Sequence, residues 1–422
     1  MRVFCYSLNA SVNRTQCART KELPMTNKIN TNGAQTLVAI DQHAKTSTLY
    51  ALDTTTGEIK SKRFSNCPSY VDFIDWLNTW AQGPYYFAYE SGPCGFALAR
   101  DFRSAGFACD VIAISSIPRS QKEKVTKDDF VDARSLLSAI QANSETLSCV
   151  YVPSIEAEDA RDVVRYYHSV SKDLRCAKQR LNSYLLRQGF VYDQKTAGGR
   201  PKKLWTQDHY RWLRKIEFKN TCKKEIFTTY YQRIQDLELE VKKAFEMVDK
   251  LAKSPAFEKY VKCFCAIKGI GIITAMCFCA EIDDFTRFSS GRALASYLGL
   301  IPKRHNSGEK TYNGKITKCG DKTLRKSLIE GFSAVTNFSA VTNFSAYRTS
   351  ASSLKDIPKS IYLEIKKTNN RILKRRNTLK KKNKSHNIIK VALAKEAACH
   401  MLFIAKALDN ISENENSLAC SA

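Results

Sequence analysis

The chain has 422 residues, 43% of them hydrophobic, which is enough for two or three domains with cores of their own. Its 67 lysines and arginines outnumber its 41 aspartates and glutamates, and the net charge of +26 favours nucleic acid as a partner. No apolar run approaches the length of about 18 residues that spans a bilayer, which argues against an integral membrane protein.

Residues 1–34 are polar and patternless, so we expect a disordered extension there. Met25 stands shortly before the first predicted strand and is a candidate for the true start of the chain. On that hypothesis, the residues before Met25 form an upstream extension without a structural role.

Residues 35–150 combine short apolar runs with stretches of helical spacing, a pattern typical of an α/β domain. The predicted strands cover residues 36–40, 46–53, 59–64, 85–89 and 109–114. The predicted helices cover residues 68–80 and 96–104 and a later segment at 127–136. We expect this domain to have an RNase H-like (RuvC-like) fold.

Four carboxylates stand where such a fold brings side chains together. Asp41 ends the first predicted strand, Glu90 ends the fourth, and Asp129 and Asp132 share one face of a predicted helix. Carboxylate oxygens suit Mg²⁺ or Mn²⁺ rather than zinc, and a pair of such ions can stabilise both the attacking and the leaving oxygen of a phosphoryl displacement. The four together predict a nuclease-type metal site. Taken singly, a strand-end aspartate is more typical of a turn, and the helical pair is also typical of a helix N-terminus or a solvated face.

The 15 cysteines and six histidines are scattered without the spacing of zinc ligands. Cys263 and Cys265, like Cys277 and Cys279, lie in apolar segments rather than in turns, and no C-x-x-C pair occurs. This distribution favours free thiols in a reducing compartment over disulfides or zinc.

Residues 151–258 are predicted to form a helical, coiled-coil linker domain, because residues 225–253 carry a heptad-like apolar stripe. The stripe consists of Ile226, Tyr230, Ile234, Leu237, Val241, Phe245, Val248 and Leu251. Such a stripe is typical of a helical hairpin within one chain. It also fits a seam between two chains, and both alternatives stay open.

Residues 259–345 are predicted to form a mainly α domain that begins with a helix-hairpin-helix-like turn. Gly269 and Gly271 allow a phosphate to approach the backbone closely, and Lys268 adds positive charge. We expect all three to bind nucleic acid. A simple turn between packed helices would account for the same glycines.

A basic loop is predicted after the helix that ends near Tyr297, and Ser307 and Gly308 lie in it. Without further context this pair favours a plain turn. A hydroxyl at this place could instead attack a phosphodiester, with flanking cations offsetting charge in the transition state. The cations expected to bind nucleic acid here are Lys303, Arg304, Lys310, Lys315, Lys318 and Arg325.

Residues 332–337 are repeated at once as residues 338–343, which would rotate a following helix by about one and two-thirds turns. Cations dominate residues 346–390, among them Lys374, Arg375 and Arg376, so this segment is predicted to be a basic arm or insertion that binds phosphates. Residues 391–412 are predicted to form a closing helix, and residues 413–422 a tail.

Taken together, these motifs resemble the insertion sequence 110 family of transposases, over nearly everything from Leu37 to Lys406. The segments DQHAK (41–45), ESGPCG (90–95) and KDDFVDA (127–133) are similar to the family's motifs of the DEDD type. Downstream, GIG (269–271), FTRF (285–288), LGLIP (298–302) and SG (307–308) follow the order of its serine-containing domain.

The resemblance implies a composite active site, formed by the RuvC-like domain and the serine domain and usually completed between subunits. Asp41, Glu90, Asp129 and Asp132 would hold Mg²⁺ (or Mn²⁺), and Ser307 would become covalently linked to DNA. A noncoding bridge RNA would pair with donor and target DNA. The resemblance also implies a homo-oligomer, a dimer or tetramer, in the bacterial cytoplasm in association with the nucleoid.

The chain departs from the family at three places: Asn306 precedes Ser307 where many relatives have a second serine, Asp128 stands where a threonine is usual, and the 332–343 repeat is extra. Two alternative functions follow. A structure-specific RuvC-like nuclease would use the four carboxylates with water and would not need Ser307. A nucleic-acid-binding remnant would bind without cutting.

Overall fold

The computed structural model describes residues 33–118, 128–142, 147–307, 310–336 and 357–420, together with Ile29 and Thr31. Among residues 304–313 and 413–420, and at Ala334, it describes the backbone alone. Nearly all of the predicted N-terminal extension, the second copy of the repeat and the first part of segment 346–390 lie outside the described residues. The chain divides into two compact units, Met1–Val152 and Pro153–Ala422.

The first unit is built on a mixed sheet with helices on its faces. The strands are β1 Thr36–Gln42, β2 Ser47–Asp53, β3 Ile59–Phe64, β4 Tyr85–Glu90, β5 Ala108–Ile112 and β6 Cys149–Val150. Their order across the sheet is β3-β2-β1-β4-β5-β6. β1, β4 and β5 run parallel, whereas β2, β3 and β6 pair antiparallel with their neighbours. The helices are α1 Tyr70–Asn78, α2 Ala97–Ser104 and α3 Asp129–Gln141.

The side chains of β1 alternate between two hydrophobic cores. Leu37 and Ala39 lie in the core that α3 closes, whereas Val38 and Ile40 lie in the core formed with α1 and α2. All four are buried. Because both faces are covered, β1 is a central strand. Its register with the neighbouring strands fixes the position of Asp41, the residue after Ile40.

The second unit is mainly helical and carries a two-stranded hairpin. Its helices are α4 Ile155–Arg187, α5 Gln207–Leu213, α6 Thr221–Ala252, α7 Glu258–Cys265, α8 Ile272–Ile282, α9 Gly291–Tyr297, α10 Lys322–Thr336, α11 Lys359–Lys381 and α12 His386–Cys420. The hairpin consists of β7 Pro302–Ser307 and β8 Lys310–Ile316. The predicted α/β class of the N-terminal part and the helical character of the remainder are therefore confirmed. No described helix combines the length and the apolar composition of a bilayer crossing.

Helices α4 and α6 pack against each other as an antiparallel hairpin. The Tyr166 hydroxyl donates to Glu240 Oε1 at 2.8 Å, and the Tyr184 hydroxyl donates to the Lys223 carbonyl at 2.8 Å. Residues later in α4 thus meet residues earlier in α6. Ile234 and Val248 of the apolar stripe are buried in cores of the same chain, whereas Ile226 is exposed, and a seam between two chains stays a prediction.

The described part of the basic segment 346–390 is not a separate arm. Ile361, Ile365 and Ile372 of α11 are buried in a core shared with α8 and α12. These isoleucines recur at helical spacing, so one face of α11 packs while most of its cations, Arg376 excepted, lie outside that face. The arm prediction is wrong for α11, because the abundant cations mask an apolar stripe. The closing helix α12 also begins earlier than predicted, and its backbone continues through most of the predicted tail.

The segment after α9 forms the β7–β8 hairpin, and the prediction of a loop there is wrong. Pro302 pairs with Ile316 and Ser307 with Lys310, with an irregularity between Pro302 and Arg304. Polar and basic residues fill both strands, so the apolar alternation that indicates a strand is missing from the sequence. Ser307 is thus the last residue of a strand.

Candidate active site

Two aspartates and a histidine bring their donor atoms together at the end of β1. His43 Nε2 lies 3.2 Å from Asp41 Oδ2 and 3.2 Å from Asp129 Oδ1. One donor atom from each of the three residues falls within 4.8 Å of the other two. Asp41 belongs to β1 and Asp129 begins α3, so the group forms where the helix meets the strand that it covers.

Asp129 is also held by Arg63 and by the start of its helix. Arg63 Nη2 lies 3.2 Å from Asp129 Oδ2. The Asp128 side chain accepts a hydrogen bond from Phe130 N at 3.0 Å and thereby caps α3. The extra carboxylate of Asp128 thus has a capping role, and the N-terminal end of the helix dipole favours negative charge at Asp129.

The surroundings of Asp41 oppose its negative charge. Burial is the main cause that raises the pKa of Asp41 from 3.8 to about 6; His43 lowers it, and the carboxylates of Asp129, Asp132 and Glu90 raise it further. Oδ2 of Asp41 is buried and receives no hydrogen bond from the described residues. His43 stands within ion-pair distance of this oxygen, but the contact lacks hydrogen-bond geometry. Such an oxygen is stabilised by a proton or by a cation.

Glu90 and Asp132 lie close enough to raise the pKa of Asp41, but outside the compact group of three. Glu90 ends β4 directly after Tyr89, which is the register partner of Ile40 in the parallel β1–β4 pair. Asp132 lies in the first turn of α3. The four predicted carboxylates therefore surround one end of the sheet.

The donor set fits a hard divalent cation. Carboxylate oxygens are the ligands that Mg²⁺ and Mn²⁺ prefer, and Oδ2 of Asp41, which accepts no hydrogen bond from the described residues, provides a place for positive charge. An imidazole nitrogen suits softer transition metals better, so the carboxylates, rather than His43, decide the preference. Arg63 offsets part of the carboxylate charge in this structure.

Sequence reasoning missed His43, which it counted among six histidines without ligand spacing. Asp41 and His43 are two residues apart where an extended strand ends, and residues at i and i+2 share one face of a strand. This Asp-x-His spacing is the signal that the sequence offers. The other partner, Asp129, follows 86 residues after His43, and no local pattern connects the two.

Comparison with known proteins places the chain in a family. The IS110 profile of DEDD transposases matches residues 38–190, and the profile described as "Transposase IS116/IS110/IS902 family" matches residues 261–347. The protein named "Putative transposase y4qE" of Sinorhizobium fredii is 31% identical over 321 residues, which are 76% of this chain and 75% of that one. The chain belongs to the IS110 family of transposases.

More distant relatives carry the same description. The transposase for insertion sequence element IS1533 of Leptospira borgpetersenii is 29% identical over 243 residues, 57% of this chain and 68% of that one. The transposase for insertion sequence element IS1328 of Yersinia enterocolitica is 22% identical over 302 residues, 70% of this chain and 82% of that one. The four carboxylates fall in the first segment matched by the IS110 family, and Ser307 falls in the second.

Ser307, the predicted nucleophile of this IS110 family member, lies at the tip of the hairpin. Its backbone pairs with Lys310, the first residue of β8, and residues 308–309 between them lie outside the described residues. Only the backbone of Ser307 is described. The nucleophilic role of this serine therefore stays a prediction.

Most of the cations that were expected to bind nucleic acid lie at the surface. Six have exposed side chains: Lys268, Lys303, Lys315, Lys318, Lys374 and Arg375. The backbones of Arg304 and Lys310 lie in the hairpin strands. Exposed cations on a hairpin can reach a phosphate backbone, and their binding role stays a prediction.

Arg325 and Arg376 are placed inside the fold. They are only 9% and 8% exposed. Arg325 Nη1 donates to the Leu298 carbonyl at 3.3 Å and to the Gly320 carbonyl at 3.4 Å, and Arg376 Nη1 donates to the Val335 carbonyl at 3.2 Å. Both guanidinium groups satisfy backbone carbonyls, so we correct their assignment from phosphate binding to support of the fold.

The glycine-rich turn between α7 and α8 is packed on one side and open on the other. Gly269 has φ +93, and a Cβ there would lie 2.9 Å from a phenylalanine ring of α10. Lys268 N donates to Asn369 Oδ1 at 2.7 Å, and Asn369 Nδ2 donates to the Ala266 carbonyl at 3.0 Å. One amide of the predicted phosphate site is thus already taken by α11. Gly271, which caps α8, faces open space, and phosphate binding there stays a prediction.

Proposed function

We propose that this IS110 family transposase cuts and exchanges DNA strands by phosphoryl transfer, using a divalent metal centre and Ser307 as the nucleophile. The convergence of Asp41 and Asp129, with a buried Asp41 oxygen that accepts no hydrogen bond from the described residues, is the observation that carries the proposal. Glu90 and Asp132 complete a set of four acidic residues at that end of the sheet. The role of Ser307 rests on the family resemblance of its segment.

The chain's own residues would prepare the metal centre. Asp41, Glu90, Asp129 and Asp132 would hold Mg²⁺ or Mn²⁺, which when bound polarises the scissile phosphate and stabilises charge on the attacking and leaving oxygens. β1 holds Asp41 in a half-buried position, and the capped start of α3, together with Arg63, holds Asp129. Carboxylates fixed in this way lose little freedom when a cation binds.

The proposed covalent step conserves the number of phosphodiester bonds. A bond forms between the Ser307 hydroxyl oxygen and phosphorus, the bond from phosphorus to one sugar oxygen breaks, and the hydroxyl proton is transferred to that departing oxygen. The sugar hydroxyl of another DNA strand can then reverse the step at the same phosphorus. Strand exchange therefore needs no nucleotide hydrolysis.

Charge and base pairing would divide the recognition of nucleic acid between them. The net charge of +26 and the exposed Lys303, Lys315 and Lys318 of the hairpin region support contact with phosphate backbones. We propose that a noncoding bridge RNA from the element pairs with donor and target DNA and supplies the sequence specificity. We further propose a dimer or tetramer, with the α4–α6 hairpin as an assembly element, that acts on the bacterial nucleoid in the cytoplasm.

A covalent-adduct assay tests the proposal. The full-length protein, with the noncoding RNA of its own element, is incubated with end-labelled donor and target DNA and Mg²⁺, and the products are separated on a denaturing gel. We expect a protein–DNA adduct that is lost in Ser307→Ala and retained in Ser289→Ala, the matched change at an exposed serine. Asp41→Asn should lose the adduct while still binding both nucleic acids.

Other outcomes favour the alternative functions. Metal-dependent nicking without an adduct, unchanged in Ser307→Ala, would identify a nuclease that uses water. Binding of RNA and DNA without cleavage under any of these conditions would identify a nucleic-acid-binding remnant. Full recombination by Asp41→Asn would contradict the assignment of the metal centre.

A further inference from the structure

A basic cavity lies at the root of the β7–β8 hairpin, within the second unit. It has a volume of about 790 Å³, and its wall combines Arg292 of α9, Lys303 of β7 and Lys395 of α12. Ser296 and Thr317 add hydroxyl groups to the wall. No acidic residue lines the cavity among the residues that the structure describes. The wall thus presents three positive charges and hydrogen-bond donors to whatever enters.

The three cations have no carboxylate within 4.0 Å in the described part of the chain. Glu396, the acidic neighbour of Lys395 in the sequence, pairs instead with Arg371 of α11. Lys395 is half-buried, so it has lost part of its hydration without gaining a counter-charge. An anion in the cavity would stabilise this arrangement.

The helices that frame the cavity are closely packed. A Cβ at Gly291 would lie 2.8 Å from Cys399 Cβ, and the Cys399 thiol donates to the Gly291 carbonyl at 3.1 Å, so α12 sits directly on the start of α9. Lys406 Nζ also donates to the Phe288 carbonyl at 2.6 Å. Lys395 lies four residues before Cys399 and therefore on the same face of α12. The contact that joins the two helices also orients Lys395 towards the cavity wall that Arg292 shares.

We propose that this cavity binds a backbone phosphate of the DNA strand on which Ser307 acts. Lys303 and Ser307 lie four residues apart on the same strand, which corresponds to about 13 Å. Duplex DNA rises by about 3.4 Å per base pair, so the bound phosphate lies roughly four base pairs from the scissile one. Arg292, Lys303 and Lys395 act as positioning residues that set the strand against the hairpin.

The choice of DNA over RNA rests on the proposed function, since the hairpin that forms one wall carries the nucleophile.

Each lost phosphate contact reduces the slope of log affinity against log salt concentration by about 0.9 for duplex DNA. At a salt concentration of about 0.15 M, this corresponds to about fivefold weaker binding for each cation removed.

The test measures DNA binding by Ser307→Ala protein without divalent metal, so that no covalent chemistry takes part. Lys395→Gln should weaken binding of a labelled duplex about fivefold, and Arg292→Gln with Lys395→Gln about 25-fold, with slope reductions of about 0.9 and 1.8. Lys219→Gln removes the same charge from an exposed lysine before α6, outside the cavity wall, and should leave the slope unchanged. Thermal midpoints check that each variant is folded.

A second measurement needs no cavity substitution. Lysine acetylation followed by mass spectrometry should show that duplex DNA shields Lys303 and Lys395 but not the exposed Lys219. Unshielded lysines, an unchanged slope in the folded double variant, or shielding by RNA and not by DNA would each overturn the proposal. If the protein without these substitutions forms the covalent adduct and one of these three results is obtained, only the cavity proposal is refuted and the proposed function is retained. Shielding by DNA without any adduct would support the cavity and refute the nucleophile.

Discussion

The substitution Asp41→Asn tests the electrostatic account of the metal centre through stability rather than through activity. Because the pKa of Asp41 is raised from 3.8 to about 6, the folded protein binds more protons than the unfolded chain between these two values. By proton linkage, the free energy of unfolding falls as the pH rises through this window, and the loss is complete above it. Near neutral pH the ionised Asp41 therefore destabilises the metal-free fold. Asparagine cannot ionise and removes this penalty.

The size of the effect follows from the pKa change. A change of about 2 corresponds to about 3 kcal/mol, which is an upper limit. Water still reaches the side chain, which is 15% exposed, so we reduce the expected gain for Asp41→Asn to about 1–2 kcal/mol near neutral pH. The gain should vanish below about pH 4, where the carboxyl group is protonated in both the folded and the unfolded chain.

Amide hydrogen exchange of the full-length protein, followed on peptides from β1 and β4, measures the opening free energy of this unit. In the absence of metal, exchange in Asp41→Asn should be slower than in the original protein near neutral pH and equal to it near pH 4. Mg²⁺ should slow exchange in the original protein and leave the variant unaffected, because the cation and the proton compete for the same carboxylate.

Asp53→Asn provides the matched control. Asp53 is 3% exposed, and its Oδ1 accepts hydrogen bonds from Thr55 N at 2.8 Å and from Thr56 N at 3.2 Å. Weakening these bonds should destabilise the same unit by about 1 kcal/mol. If Asp41→Asn also speeds exchange near neutral pH while it remains folded, the claim that the ionised carboxylate is destabilising is refuted.

Two further predictions concern the second unit. Gly320 has φ +68, and a Cβ there would lie 2.1 Å from the Tyr297 carbonyl oxygen, so Gly320→Ala should cost about 3 kcal/mol or more and lower the thermal midpoint. Asn369→Ala should cost about 1–3 kcal/mol, because the Lys268 amide and the Ala266 carbonyl lose their side-chain partner. Asn370→Ala, at an exposed asparagine, provides the control. An unchanged thermal midpoint in Gly320→Ala or Asn369→Ala would contradict the packing described.

The sequence was informative where periodicity is local. The strands of the first unit are short apolar runs, so their positions and the strand-end placement of Asp41 and Glu90 followed from the residues themselves. The helical pair that begins with Asp129 followed from its spacing in the same way. Sequence could not supply the contact between His43 and Asp129, because it depends on how α3 crosses the sheet.

Long-range packing explains the predictions that were wrong. The β7–β8 hairpin pairs polar strands, and the isoleucines of α11 are hidden among cations, so composition favoured a loop and an arm. Arg325 and Arg376 belong to basic runs, yet backbone carbonyls from other parts of the chain surround their guanidinium groups. From sequence alone, an exposed cation in a basic run cannot be distinguished from a buried one, because burial depends on tertiary partners.

The packing of α12 against α9 determines when the core of the second unit can be completed during synthesis. The core that α12 completes begins with Ala160 and ends with Leu408, so α12, which is synthesised after the other helices described above, closes a structure that was started more than 200 residues earlier. Until then Gly291 has no Cys399 to pack against, and Lys395 is not in place. The cavity can therefore form only after α12 has been synthesised. Nascent chains, and chains that end before His386, carry most of the positive charge of the protein but lack the complete cavity.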